Sequence, residues 1–117
     1  MEVHNLLGPG FLESVYKHSL VHELELQGLR TATEVEVPIQ YKARLVATHR
    51  MDLIVEDSVI VELKAITSLS DFHFAQVLSY LKATDLEVAL LFNFGQPSLV
   101  WKRLIKSRGF RGFRGFV

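Results

Sequence analysis

The chain contains no cysteine. That absence excludes disulfide scaffolds, thiolate zinc sites and cysteine nucleophiles together, and it fits a reducing compartment, so the cytoplasm is the expected location. No apolar run approaches the roughly 20 residues needed to cross a bilayer, and Met1-Glu2-Val3-His4-Asn5 lacks the basic and apolar regions of a signal peptide. No membrane association is expected. Also missing is an excess of either charge, since 13 basic and 13 acidic side chains give a formal net charge of +0. Such a balance argues against a large electrostatic footprint for duplex DNA. The balance is uneven along the chain, because Arg108, Arg111 and Arg114 sit in the tail and leave residues 1–107 with 10 basic and 13 acidic side chains. A divalent cation among those acids would add local positive charge that side-chain counting misses.

What is there is enough for one core. At 117 residues and 49% hydrophobic, residues 1–107 read as a single domain. Gly8-Pro9-Gly10 punctuates the start, and from Phe11 to Leu26 the apolar residues Leu12, Val15, Tyr16, Leu20 and Leu24 recur at helical spacing, with Gly28 placed to end the helix. Val35, Val37, Ile39 and Tyr41 alternate with polar residues as a strand, in which Pro38 implies an edge or bulged position. Strands follow at about Leu45 to Val55 and Val59 to Ile66, then a helix from the N-cap pair Ser70-Asp71 to about Lys82. Leu86 to Phe94 reads as a buried strand and Leu99 to Ile105 as another. The order αβββαββ predicts an α/β fold, a mixed β-sheet flanked by helices. Residues 108–117, an Arg-Gly-Phe unit repeated three times, read as a disordered tail whose basic and aromatic residues suit single-stranded nucleic acid, although a non-functional extension is the better compositional reading.

The chemistry gathers in one hairpin. If Glu56, Asp57 and Ser58 form the turn, Val55 pairs with Val59, Leu53 with Val61 and Asp52 with Glu62. Alternation then puts Asp52, Glu62 and Lys64 on one face and Leu53, Val61 and Leu63 on the other. Opposed residues have Cβ atoms roughly 4.5–5.5 Å apart, close enough for two carboxylates to share one hard cation. Phosphodiester hydrolysis needs charge neutralisation at phosphate, a positioned water and a cation for the developing oxyanion. Two acids and a lysine supply these parts, with the Leu63 carbonyl as a further oxygen ligand. A Glu-x-Lys pair alone is ordinary on a solvated strand face; a facing acid makes it distinctive. Gln76 and Tyr80 lie four apart on the second helix, so an amide and a phenol share one face near the Lys64 strand. Glu13 reads either as a helix-dipole charge or as another acid reaching the metal or its water.

Taken together, Gly10-Phe11-Leu12-Glu13-Ser14-Val15-Tyr16, Arg50-Met51-Asp52, Val61-Glu62-Leu63-Lys64, Gln76-Val77-Leu78-Ser79-Tyr80-Leu81 and Asn93-Phe94-Gly95 resemble the GxxExxY protein family of the PD-(D/E)xK nuclease-like superfamily. The resemblance covers about residues 3–106, with the motifs in order. It implies a restriction-endonuclease-like core, Mg²⁺ or Mn²⁺ as cofactor and a nucleic-acid substrate, expected to be DNA, single-stranded or branched, cleaved to leave 5′-phosphate ends. Asp52, Glu62 and Glu13 become the expected metal acids, Lys64 the catalytic lysine, and Gln76 and Tyr80 the helix pair that positions phosphate. A short helix often precedes the Gly-Pro-Gly turn in this family and the chain begins near its end, so a truncated N-terminus is one expectation. The Arg-Gly-Phe tail is outside the pattern.

Other candidates weigh less. His18 and His22 share a helix face but have no third ligand for zinc. His4 could approach the same metal from the first-helix side. Trp101, Lys102 and Arg103 on the last strand have a nucleic-acid reading and a core or interface reading, and stay unassigned. A domain this small leaves little surface for a long substrate, so a homodimer or a larger nucleic-acid-processing partner is an expected associate. The leading expectation is a metal-dependent nuclease. Its alternatives are a catalytically silent nucleic-acid-binding or oligomeric accessory module on the same fold and, more remotely, a structural α/β domain with merely solvated acids.

Overall fold

A computed structural model of the chain describes residues 1–106. The Arg-Gly-Phe tail therefore lies outside the described residues. One five-stranded mixed sheet carries the fold, with strands in the spatial order β1-β2-β3-β4-β5: β1 (Thr31–Tyr41), β2 (Arg44–Val55), β3 (Val59–Lys64), β4 (Val88–Asn93) and β5 (Val100–Ile105). The only parallel pair among them is β3 with β4. Parallel neighbours need a crossover, and α3 (Asp71–Ala83) provides it. The expected α/β core with a mixed sheet is what the chain adopts.

Helices cover both faces. On one side α1 (Glu2–Leu7) and α2 (Glu13–Leu26) bury Val3, Tyr16 and Leu20 against Leu53, Val61, Leu63 and Phe94. On the other, α3 buries Val77, Tyr80 and Leu81 against Val37, Met51, Ile60, Ala89 and Leu91. The element order thus gains α1, six residues that are too few to show a helical period in sequence; burial of Val3 and His4 fixes it. The ends of α2 and α3 follow local rules. Gly28, at φ 80°, follows α2, and the Leu29 N–H donates to the Leu24 carbonyl while the Gly28 N–H donates to that of Glu25, the paired bonds of a Schellman stop. At the start of α3, His73 Nδ1 accepts the Ser70 N–H at 2.9 Å.

β1 is an edge strand, as Pro38 implied, and its register with β2 shifts between Ile39 and Gln40. The β1–β2 turn places Lys42 and Ala43 at φ 49° and 66°, a left-handed pair that matches the strand twist at some steric cost to two residues carrying Cβ. At the other end of β2, the expected turn over Glu56, Asp57 and Ser58 is present. Val55 pairs with Val59, Ile54 with Ile60 and Leu53 with Val61. Beyond Leu53 and Val61 the ladder stops, and the reason is chemical.

Candidate active site

Where Asp52 and Glu62 would have exchanged backbone hydrogen bonds, their carboxylates take over. The Asp52 N–H donates to Glu62 Oε1 at 2.8 Å, and the Leu63 N–H donates to Asp52 Oδ2 at 2.9 Å. Each acid thereby satisfies a backbone donor on the opposite strand, so both side chains are fixed at the point where β2 parts from β3. The alternation of β2 also breaks here. Met51 packs in the α3 cluster and Leu53 in the α2 cluster, although residues two apart on a regular strand share a face. The opposite residue of β1, Glu34, has φ 53°, and the Glu34–Asp52 pair is skipped between Thr33–Leu53 and Val35–Met51. On β3 the pattern is regular: Val61 and Leu63 enter the α2 cluster, and Glu62 and Lys64 alternate with them.

The second carboxylate oxygen of each acid, Asp52 Oδ1 and Glu62 Oε2, accepts no hydrogen bond among the described residues. Neither is sealed away, because no buried side-chain polar atom lacks a partner there. Two oriented carboxylates with one oxygen each to spare fit a hard divalent cation, since Mg²⁺ is held by one or two carboxylates together with water and substrate phosphate. Among the described residues no three His, Asp or Glu side chains converge as a ready-made ligand set. The site is a pair, not a cage.

Electrostatics mark the same place. Burial, and then the negative charge of Asp52, push the Glu62 carboxyl up to about 8; Lys64 and the Asp52 N–H pull it back. Glu13, in the first turn of α2, is raised for the same two reasons, partial burial of its carboxyl first and Asp52 second, and lowered by Lys64 and Lys17. Glu13 thus lies within the field of Asp52 and Lys64. Lys17, one turn along, is ion-paired with Glu34, and that bond raises the Lys17 ammonium and lowers the Glu34 carboxyl. From α3, the Gln76 Oε1 accepts from Lys64 Nζ at 3.4 Å. Tyr80, one turn on, is buried and its phenol is pushed up to about 12 by burial and by the charges of Glu62 and Asp52, so it keeps its proton. All six expected residues, Glu13, Asp52, Glu62, Lys64, Gln76 and Tyr80, are thus linked to one another by contact or field.

Two supports were not foreseen as such. Tyr16 read as a helix core residue, yet its hydroxyl donates to the Gly8 carbonyl at 2.6 Å and accepts the Phe11 N–H at 3.1 Å, while its ring stacks on Phe94 at 4.6 Å. It ties the Gly-Pro-Gly turn to the core and so sets the entry of α2 that carries Glu13. Asn93 is fully buried, and its amide holds both the N–H and the C=O of Ile66 at 3.0 Å; its Oδ1 also accepts the Gly95 N–H. A Cβ on Gly95 would lie 2.3 Å from the Ile66 carbonyl oxygen. These residues pin the chain as it leaves Lys64. The Asn-Phe-Gly tripeptide was the available signal, but only the crossing of β4 with that exit gives it a task. His4 is held elsewhere than expected: its Nε2 sits 2.9 Å from the Gln96 carbonyl oxygen, beside Phe94.

A model of the PD-(D/E)XK nuclease superfamily matches residues 1–104. The chain belongs to that superfamily. No curated protein matches the sequence. Among solved structures, that of SSO0001 superposes with a TM-score of 0.64 at 20% identity, over 80% of this chain and 49% of the other. An alkaline exonuclease, LHK-Exo from Laribacter hongkongensis, superposes with a TM-score of 0.60 at 10% identity, over 85% of this chain and 58% of the other. At such identities the likeness is one of fold, and this PD-(D/E)XK chain spans about half the length of the structures it matches. No helix among the described residues is long and apolar enough to cross a membrane.

Proposed function

We propose that this chain is a Mg²⁺- or Mn²⁺-dependent deoxyribonuclease of the GxxExxY type, acting in the cytoplasm on single-stranded or branched DNA and leaving 5′-phosphate ends. One observation carries the reading: two carboxylates replace the β2–β3 ladder, each anchored by one oxygen with the other open to a cation. Asp52 and Glu62 would hold the metal, with Glu13 acting on it or on its water. When bound, the metal neutralises phosphate charge and lowers the pKa of water. The Lys64 ammonium, steadied by Gln76, orients the attacking water and stabilises the pentavalent phosphate. Gln76 and Tyr80 position the scissile group; the raised phenol keeps Tyr80 a hydrogen-bond donor at neutral pH. A domain this small leaves little surface for a long substrate, so a second copy or a larger nucleic-acid-processing partner belongs to the reading.

The test is cleavage of single-stranded, duplex and branched DNA and RNA with Mg²⁺, Mn²⁺ or chelator. The expected result is metal-dependent cleavage of DNA that Lys64→Ala abolishes; full cleavage by that variant removes the role given to Lys64. The competing reading is a catalytically silent accessory module on the same fold, against which the intact set of Asp52, Glu62 and Lys64 argues. Calorimetric titration with Mg²⁺ and Mn²⁺ separates the two, since a live site binds and Asp52→Asn weakens it, whereas a silent site binds neither ion.

A further inference from the structure

The outer part of the β1–β2 hairpin is unlike the rest of the molecule in charge and exposure. Residues 1–106 carry 10 basic and 13 acidic side chains, and the stretch 37–51 takes three of those basic residues, Lys42, Arg44 and Arg50, and none of the acids, although Arg50 faces Glu36 across the strands. The remaining described residues are left with 7 basic against 13 acidic side chains. Every residue from Tyr41 to Arg50 is exposed, including Tyr41, Leu45 and Val46. Neither Lys42 nor Arg44 has an ion-pair partner among the described residues, and the Lys42 ammonium lies 5.4 Å from the centre of the Tyr41 ring.

This arm leads into the candidate site. Cross-strand partners share a face, so the pairs Val37–His49, Ile39–Ala47 and Tyr41–Arg44 form one row. Val37 and Ile39 pack in the α3 cluster, which places the row on the α3 side, and His49 meets the Tyr80 ring at 6.2 Å. Tyr80 in turn feels the charges of Glu62 and Asp52. The row therefore leads from Tyr41 and Arg44 at the tip, across the register shift at Ile39 and Gln40, to His49 and the Tyr80 ring, which lies within the field of the carboxylate pair. The eight steps of strand from Arg44 to Asp52 span about 26 Å at ~3.3 Å each, roughly eight steps of duplex at ~3.4 Å per step.

We propose that the outer β1–β2 arm binds the nucleic-acid backbone, Lys42 and Arg44 neutralising phosphates while the Tyr41 ring offers a stacking face to an unpaired base. The identity of the ligand rests on the nuclease reading; Lys42 and Arg44, exposed at the tip and without ion-pair partners among the described residues, are what selects a polyanion over an apolar partner.

Fluorescence anisotropy tests it with the full chain, labelled single-stranded and duplex 24-mers, and chelator to prevent turnover. Lys42→Ala/Arg44→Ala is expected to weaken binding by about tenfold or more and to flatten the salt dependence, removing a slope of ~0.7 to 0.9 per lost phosphate contact. Tyr41→Ala should weaken the single strand alone. Unchanged affinity and slope in the double variant overturn the arm, as does wild type that binds neither 24-mer. So does sedimentation in which the double variant falls from dimer to monomer, which would give the surface to a second copy. Wild-type hydrolysis of bis(4-nitrophenyl) phosphate with Mn²⁺, a substrate too small to touch the arm, reads the chemistry separately. Its loss with the affinity effect intact sinks the nuclease reading and leaves the arm standing.

Discussion

The outer half of β2, Arg44–Arg50, is exposed at every residue, whereas the inner half, Met51–Val55, buries Met51 and Leu53 on either side of Asp52. The two halves belong to one continuous strand paired with β1 throughout. What separates them is their second neighbour. Only the inner half touches β3, and only over three residue pairs, because the acids end the ladder at Leu53 and Val61. Backbone pairing builds the scaffold; its interruption opens the site and frees the arm.

The largest effect that could break this comparison is chemical. Asp52→Asn keeps the shape of the inner half but halves its charge pair, and Lys64→Ala removes the cation beside it; each is expected to lower cleavage by about 10²–10³-fold or more. Circular dichroism and melting should show both variants folded. Should Asp52→Asn cleave at the wild-type rate, the inner half of β2 is a scaffold and nothing else; should Lys64→Ala, the end of β3 is.

Packing sharpens the contrast next. Leu53 is fully buried between β2, β3 and α2, so Leu53→Ala should cost ~2–5 kcal/mol in urea unfolding. Gly95→Ala belongs with it, since its Cβ would collide with backbone that cannot retreat, and should lower both the melting temperature and the cleavage rate through the Lys64 exit. A Gly95→Ala protein as stable and active as wild type would show that this exit can shift freely.

Protonation gives a subtler reading of the inner half. Glu62 titrates at about 8 in the fold against an ordinary value of 4.5, so the folded chain holds a proton that the unfolded chain gives up between those values. The sign follows from linkage: this group's contribution is fully present below about 4.5 and is lost as pH rises towards 8. In chelator, wild type should lose melting temperature between pH 5 and 8.5 relative to Glu62→Gln, and divalent metal should restore it at the alkaline end. Parallel curves for the two proteins would remove the repulsive pair from the account.

The smallest effect belongs to the outer half. Leu45→Ala, at a side chain 58% exposed, should leave unfolding free energy within ~0.5 kcal/mol of wild type. A larger cost would mean that the arm is packed against something in solution.

Much of this was legible in the chain. The alternation of Val35, Val37, Ile39 and Tyr41, the polar turn at 56–58 and the helical period from Leu12 to Leu24 each reflect a single element burying one face, which residue types record locally. The hairpin register followed from the turn length, and with it the proximity of Asp52 to Glu62. Less was legible where the cause lies in a distant segment. Asn93, Gly95 and Tyr16 look like ordinary strand, turn and core residues until Ile66, Gly8 and Phe94 are set beside them.

The amino-acid order by itself determined which residues are candidates for the proposed chemistry, because charge, side-chain length and spacing along a hairpin are local properties. It determined the α/β class as well. Only the tertiary structure decided that the acids would face backbone donors across the strand, that α3 would bring Gln76 to Lys64, and that half of β2 would extend beyond β3 with β1 as its one strand neighbour. Those outcomes depend on which surfaces are buried together, and burial is settled by the whole chain at once.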